Sequence, residues 1–153
     1  MKKLVAYFSA TGVTARVAND LAEAIGADVF EIQPVARYTA ADLDWKDPQS
    51  RSTVEMNDPS SRPPIACKLD TMAQYDEIYV GFPIWWYVAP RIIDTFLESY
   101  DFSGKTIIPF ATSGGSGVEK VDETFKCEGA EVKKAWLLNE DDSVKELVKS
   151  CNG

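Results

Sequence analysis

Three hydroxyl residues crowd into the stretch Ser9-Ala10-Thr11-Gly12-Val13-Thr14, and the chemistry they offer is the holding of an anion. The hydroxyls of Ser9, Thr11 and Thr14 donate hydrogen bonds. Gly12 lets the backbone approach a ligand closely. If the stretch opens a helix, the first amide groups of that helix lack partners of their own and carry partial positive charge, which suits a phosphate. Neither G-x-G-x-x-G nor G-x-x-x-x-G-K-[ST] is present, so this is not one of the commoner phosphate loops. No basic residue stands in it. The same residues also serve an ordinary strand-to-helix turn capped by Thr11, so the assignment needs support from elsewhere in the chain.

Two further groups supply that support. Pro83-Ile84-Trp85-Trp86-Tyr87 offers flat aromatic faces on which a planar ring can stack, each such pairing contributing roughly 0.5–1.5 kcal/mol beyond its burial. Thr112-Ser113-Gly114-Gly115-Ser116 offers backbone amides for the polar edge of that ring. What is missing narrows the chemistry as much. The chain has no histidine, which removes Ser-His and Cys-His nucleophile pairs, histidine-based zinc sites and the commonest general base. Cys67, Cys127 and Cys151 are far apart and form no C-x-x-C, so they read as isolated thiols of a reducing cytoplasm and not as a disulfide frame or metal site. No catalytic residue and no metal ligand is assigned. A cofactor has to bring the chemistry.

The elements that must position these groups alternate along the chain. Leu4-Val5-Ala6-Tyr7-Phe8 is an unbroken apolar run, as a strand buried on both faces requires. Val13, Val17, Leu21 and Ile25 then recur every fourth residue, a helix closed by Gly26. Asp28 to Ile32 reads as a second strand. Residues 35–65 lose all periodicity and are dense in turn formers, so they form an insertion, expected to be an ordered lid in which Tyr38, Leu43 and Trp45 fold over the site. A short helix around Cys67, Leu69, Met72 and Ala73 precedes a third strand, Ile78 to Phe82. Pro90 opens a helix with Ile92, Ile93, Phe96, Leu97 and Tyr100 as its apolar stripe. Lys105 to Ala111 is a fourth strand in which Pro109 calls for a local irregularity. A helix carrying Val118, Val121 and Phe125, with Ser116 and Glu119 as a capping box, leads to a last strand, Glu131 to Leu138. Val144, Leu147, Val148 and Cys151 form the face of a final helix. Such alternation predicts one α/β domain over residues 1–153: a three-layer αβα sandwich on a five-stranded parallel sheet of order 2-1-3-4-5. In that order the loops after strands 1, 3 and 4 meet at one carboxyl edge.

On residues 9–14, 81–90 and 110–117 the chain resembles the flavodoxin-like FMN-binding family, as a subgroup with its insertion between strands 2 and 3. The resemblance implies FMN as cofactor, with its phosphate on Ser9, Ala10, Thr11, Gly12, Val13 and Thr14. It places the ring between Pro83, Ile84, Trp85, Trp86 and Tyr87 on one side and Thr112, Ser113, Gly114, Gly115 and Ser116 on the other. Members of that family carry a glycine beside the stacking aromatic, where one peptide turns over as the flavin takes up a single electron. Here bulky residues fill the stretch between Pro83 and Pro90. The reversal would cost about 1–2 kcal/mol, which predicts a preference for two-electron chemistry.

Composition sets the outer bounds. At 153 residues, 45% hydrophobic and 26% charged, the chain reads as an ordinary soluble globular protein. A formal net charge of −8 speaks against nucleic acid and anionic membranes as partners. Met1-Lys2-Lys3 runs straight into the first strand, which predicts a cytoplasmic protein without a leader. Three function classes follow. An oxidoreductase passing electrons through FMN to a quinone-like acceptor is favoured by the aromatic lid. The alternative is an electron carrier docking to a redox partner protein, favoured by the acidic surface. A flavin-free phosphoacceptor domain would want an acidic pair where Ser9 and Ala10 stand, and is set aside.

Overall fold

The computed structural model describes residues 2–10, 12–113, 117–138 and 141–152. The expected order is present: β2 (Asp28–Glu31), β1 (Lys3–Tyr7), β3 (Glu77–Pro83) and β4 (Thr106–Thr112) pair in parallel, in that sequence. Alternation along the strands sends side chains to two separate cores. Leu4, Ala6, Phe8, Ile78, Val80, Phe82, Ile107 and Ala111 pack on one face with Ile92, Ile93, Phe96 and Leu97 of α3 (Arg91–Glu98) and Val121 of α4 (Glu119–Thr124). Val5, Tyr7, Tyr79, Ile108 and Phe110 pack on the other with Val17, Ala18 and Leu21 of α1 (Val13–Ile25) and Leu147 of α5 (Asp141–Asn152). Both faces are covered, which is why the strands read as continuous apolar runs. Gly81 sits opposite Phe110 in this sheet, and a Cβ there would clash with the phenyl ring, 2.2 Å from its Cζ.

The last strand departs from expectation. Instead of one strand over Glu131 to Leu138, two short ones pair with β4: β5 (Glu131–Val132) beside Thr106 and Ile107, and β6 (Trp136–Leu137) beside Phe110 and Ala111. Among the described residues the sheet therefore has six strands. Pro109 explains the break. The carbonyls of Lys105, Ile107 and Ala111 accept from Glu131, Lys133 and Leu138, so odd-numbered residues face this edge. Pro109 is the odd-numbered residue that cannot donate there. Where the ladder lapses, the Ala135 amide donates instead to a carboxylate oxygen of Asp122 on α4, at 2.7 Å. The irregularity expected at Pro109 thus falls on its neighbour strand.

Two other expectations change. The helix sought around Cys67 to Ala73 shrinks to a 3-10 turn, Met72–Gln74. The insertion holds a helix that periodicity did not reveal, α2 (Arg51–Asn57), whose N-cap Ser50 accepts from the Thr53 amide. Its buried residues are Ser52, Thr53 and Met56, so its inner face is mostly polar in sequence. The insertion closes at its base through Val35 N–H to Pro64 O, 3.0 Å, and Ala66 N–H to Gln33 O, 2.7 Å. Among the described residues no helix is long and apolar enough to cross a membrane, and no group of metal-ligating side chains stands together. Cys67 and Cys127 are free thiols, with burial pushing the Cys127 thiol up from its usual range. The Cys151 side chain lies outside the described residues.

Candidate functional site

The parallel register brings three loops to one edge. Pro83, the last residue of β3, lies beside Thr112, the last of β4, and the amide of Phe8, just beyond β1, donates to Gly81 O at 2.9 Å. All three strands therefore end together, and the loops that follow share the crevice above them.

The first loop is shaped to leave donors free. Gly12 has φ 96°, a left-handed conformation that a side chain disfavours, and stands as N-cap of α1. Its amide donates to Ser9 Oγ at 3.0 Å, so the serine oxygen fixes the loop while its own hydrogen remains available. No side chain caps α1 and its first turn holds no acid, so nothing in the described chain competes with an anion for the first amides. Thr14 is placed differently from a simple surface donor. It is 2% exposed and its Oγ1 lies 2.7 Å from Oγ1 of Thr112, itself 4% exposed. Val13 is half exposed at the mouth, off the buried stripe to which its spacing assigned it. Thr11 lies outside the described residues. The arrangement suits a terminal phosphate: helix amides, two or more hydroxyls and a glycine where the ligand must approach.

The aromatic loop divides into an anchor and a tip. Trp85 packs edge-on against Phe8 and Tyr38, with centroids 5.6 and 5.3 Å apart, and so belongs to the wall of the site. Trp86 and Tyr87 stand outward, 40% and 62% exposed, and are left to meet a ring. Their backbone is unusual. Trp85 N–H donates to Val88 O at 3.0 Å and Val88 N–H to Trp85 O at 3.1 Å, while φ is +51° at Trp86 and +71° at Tyr87. Two positive φ values inside a doubly bonded two-residue turn mark a type I′ turn, which ordinarily selects Asn and Gly. Two bulky aromatics in that conformation are strained, and strain of this kind gathers at functional sites.

The third loop begins at Thr112, whose carbonyl accepts from the Ile84 amide at 2.9 Å. Ser113 follows it. Gly114, Gly115 and Ser116, and with Ser116 the capping box to Glu119, lie outside the described residues. Within the described chain α4 starts at Val118 without a side-chain cap.

Three features escaped sequence reasoning. The first is how Tyr38, expected to fold over the site from the insertion, is held there: it packs against Phe8 and Trp85, and its phenol donates to Glu55 Oε1 at 2.5 Å. Burial and that carboxylate hold the phenol well above its usual range. Arg51 completes the cluster, its guanidinium 3.8 Å over the Tyr38 ring and 3.0 Å from Glu55 Oε2. The second is Arg37, which lines with Ser9 and Ala10 a cavity of about 90 Å³ on the β2 side of the first loop. The third is the hydroxyl pair of Thr14 and Thr112. Trp45, expected with Tyr38 to cover the site, is 69% exposed, with the Lys46 ammonium 5.4 Å from its ring. A larger cavity of about 640 Å³, lined by Pro109, Phe125, Cys127 and Val132, opens beside the β5–β6 break and not among the three loops.

Comparison with known proteins agrees with the fold. A candidate flavoprotein from Bacteroides eggerthii DSM 20697 superposes with a TM-score of 0.94 at 46% identity, covering 99% of this chain and 98% of that one. One from Bacteroides uniformis ATCC 8492 gives 0.89 at 51% identity, with 97% of each chain covered. The flavoprotein of Lactobacillus acidophilus NCFM, solved in complex with FMN, gives 0.74 at 22% identity, covering 97% of this chain and 98% of its own, a likeness of fold. Comparison with curated protein sequences finds no match. The family model described as Flavodoxin matches residues 2–152. With the sheet order and three converging loops already in place, that match over nearly the whole length means that the chain belongs to the flavodoxin family.

Proposed function

We propose that this protein is an FMN-dependent oxidoreductase that passes electrons in pairs to a quinone-like acceptor. The cofactor is FMN. Family membership supports it, as does the FMN complex of the Lactobacillus acidophilus relative. Ser9, Thr11 and Thr14, with the amides around Ala10, Gly12 and Val13, would hold its phosphate. The loop from Pro83 to Tyr87 and the loop from Ser113 to Ser116 would hold its ring, with Trp86 or Tyr87 offering the stacking face. Bound there, FMN supplies the electron transfer, and the chain's task is to bind, orient and shield it.

The observation that carries the oxidoreductase reading is the aromatic turn. Reversing the peptide between Trp86 and Tyr87 would convert a type I′ turn into type II′, which wants glycine at its first central position. Trp86 stands there, and the two hydrogen bonds between Trp85 and Val88 hold the ends fixed. A turn that resists reversal disfavours stopping after one electron. Behind it, Tyr38, Phe8 and Trp85 form a rigid aromatic wall against which a flat acceptor can be enclosed. The carrier reading draws on the net charge of −8, which suits docking to a basic protein.

Steady-state turnover separates the two. With NADH or NADPH and a quinone, the protein alone should turn over, and a reductive titration should run from oxidised to fully reduced flavin without stopping at one electron. Negligible turnover without an added reductase, with an abundant one-electron form, would establish the carrier instead.

A further inference from the structure

We infer that Thr112 is a positioning residue for the phosphate end of the site, acting through Thr14 and setting the preference for a phosphorylated flavin; this rests on the FMN reading above. The two side chains meet across 98 positions of sequence, at 2.7 Å between hydroxyl oxygens, both inside the protein. A threonine in a helix divides between two rotamers, because its hydroxyl can turn back to a carbonyl of the preceding turn. The Thr112 hydroxyl gives Thr14 a partner in only one of them, the one that turns Oγ1 toward the ends of the strands.

The hydrogens complete the picture. Two hydroxyls joined by one hydrogen bond use one hydrogen and leave the other to donate elsewhere. A phosphate only accepts. Thr14 must therefore donate to it, and Thr112 must donate to Thr14. The result is a directed chain, Thr112 to Thr14 to phosphate, in which each bond polarises the next. Thr112 is itself well held: it ends β4 opposite Pro83, and its carbonyl takes the Ile84 amide at 2.9 Å. A flavin without a phosphate gains nothing from this chain.

The test is titration of the apoprotein with FMN and, separately, with riboflavin, followed by quenching of flavin fluorescence. Thr112→Val keeps the shape and removes the hydroxyl. We expect its affinity for FMN to fall roughly three- to tenfold, the range of one neutral hydrogen bond, with riboflavin affinity unchanged. Thr112→Ser should restore the ratio. Because Thr112 acts through Thr14, the double variant Thr14→Val with Thr112→Val should bind FMN no more weakly than Thr14→Val alone. Should Thr112→Val not fold, as judged by circular dichroism, Thr112→Ala carries the same comparison. An equal fall for both flavins, or an unchanged ratio in a parent protein that does prefer FMN, overturns the inference alone. A parent protein that binds both flavins equally overturns the phosphate assignment, and the inference with it.

Discussion

Replacing Tyr87 by glycine and, separately, by alanine isolates the strain in the aromatic turn. Both variants lose the same side chain from a position already 62% exposed, so their difference depends on the backbone alone. At an ordinary position alanine is the more stable of the two, because glycine has more freedom to lose on folding, worth about 0.4–1 kcal/mol. At Tyr87 φ is +71°. A residue with a Cβ pays about 1–2 kcal/mol to sit there, and glycine almost nothing. Backbone strain outweighs chain entropy here, and Tyr87→Gly should be more stable than Tyr87→Ala by about 0.5–1 kcal/mol. For a protein of this size each kcal/mol moves the melting temperature by about 2–4 °C. Thermal denaturation of the two apoproteins, followed by circular dichroism, reads the difference directly. Alanine equal to or better than glycine would mean that Tyr87 carries no left-handed strain in this turn.

Three other perturbations address the surrounding framework. Tyr38→Phe keeps the aromatic wall but removes the donor to Glu55, and should lower stability to denaturant by about 1.5–3 kcal/mol, the range for a hydrogen bond to a charged group; an unchanged midpoint would mean the insertion is not held there. Asp122→Ala strands the Ala135 amide in the gap beside Pro109 and should cost a similar 1.5–3 kcal/mol, read by urea unfolding, with little effect if the break is tolerated without its bridge. Asp94 on α3 has its carboxyl pushed up, chiefly by burial and against the pull of Arg62 and Arg91. Its contribution is therefore fully present below the pKa of the unfolded chain and is lost as pH rises through the raised value. Asp94→Asn should accordingly remove this one downward contribution, making the slope of stability against pH more positive than the parent's across the carboxylate range, and a slope equal to that of the parent would contradict this.

Legibility in the sequence followed burial. Strands β1, β3 and β4 could be read because both faces are apolar, and α1 and α3 because each lays one apolar stripe on a sheet. Helix α2 could not, since Ser52 and Thr53 fill most of its inner face and its Val54 points outward. Pro109 signalled a disturbance but not its place, because only the direction of its missing donor shows that the last strand is the one that breaks. The three loops of the site were legible as loops. Their inner geometry was not: nothing in Trp86-Tyr87 announces two left-handed residues, and a threonine pair 98 positions apart leaves no local pattern. Arg37, and the Glu55 and Arg51 partners that hold Tyr38, were hidden for a related reason, lying in an insertion whose fold is set by its contacts and not by its periodicity.

The FMN site is tested most directly by the identity of what the purified protein carries. Absorbance of the protein, with the mass of the ligand released on denaturation, should report FMN at one per chain, because the uncapped start of α1 and the hydroxyls beside it are arranged for a terminal phosphate. A chain that carries FAD or riboflavin, or that remains colourless and takes up no FMN when it is supplied, would contradict it.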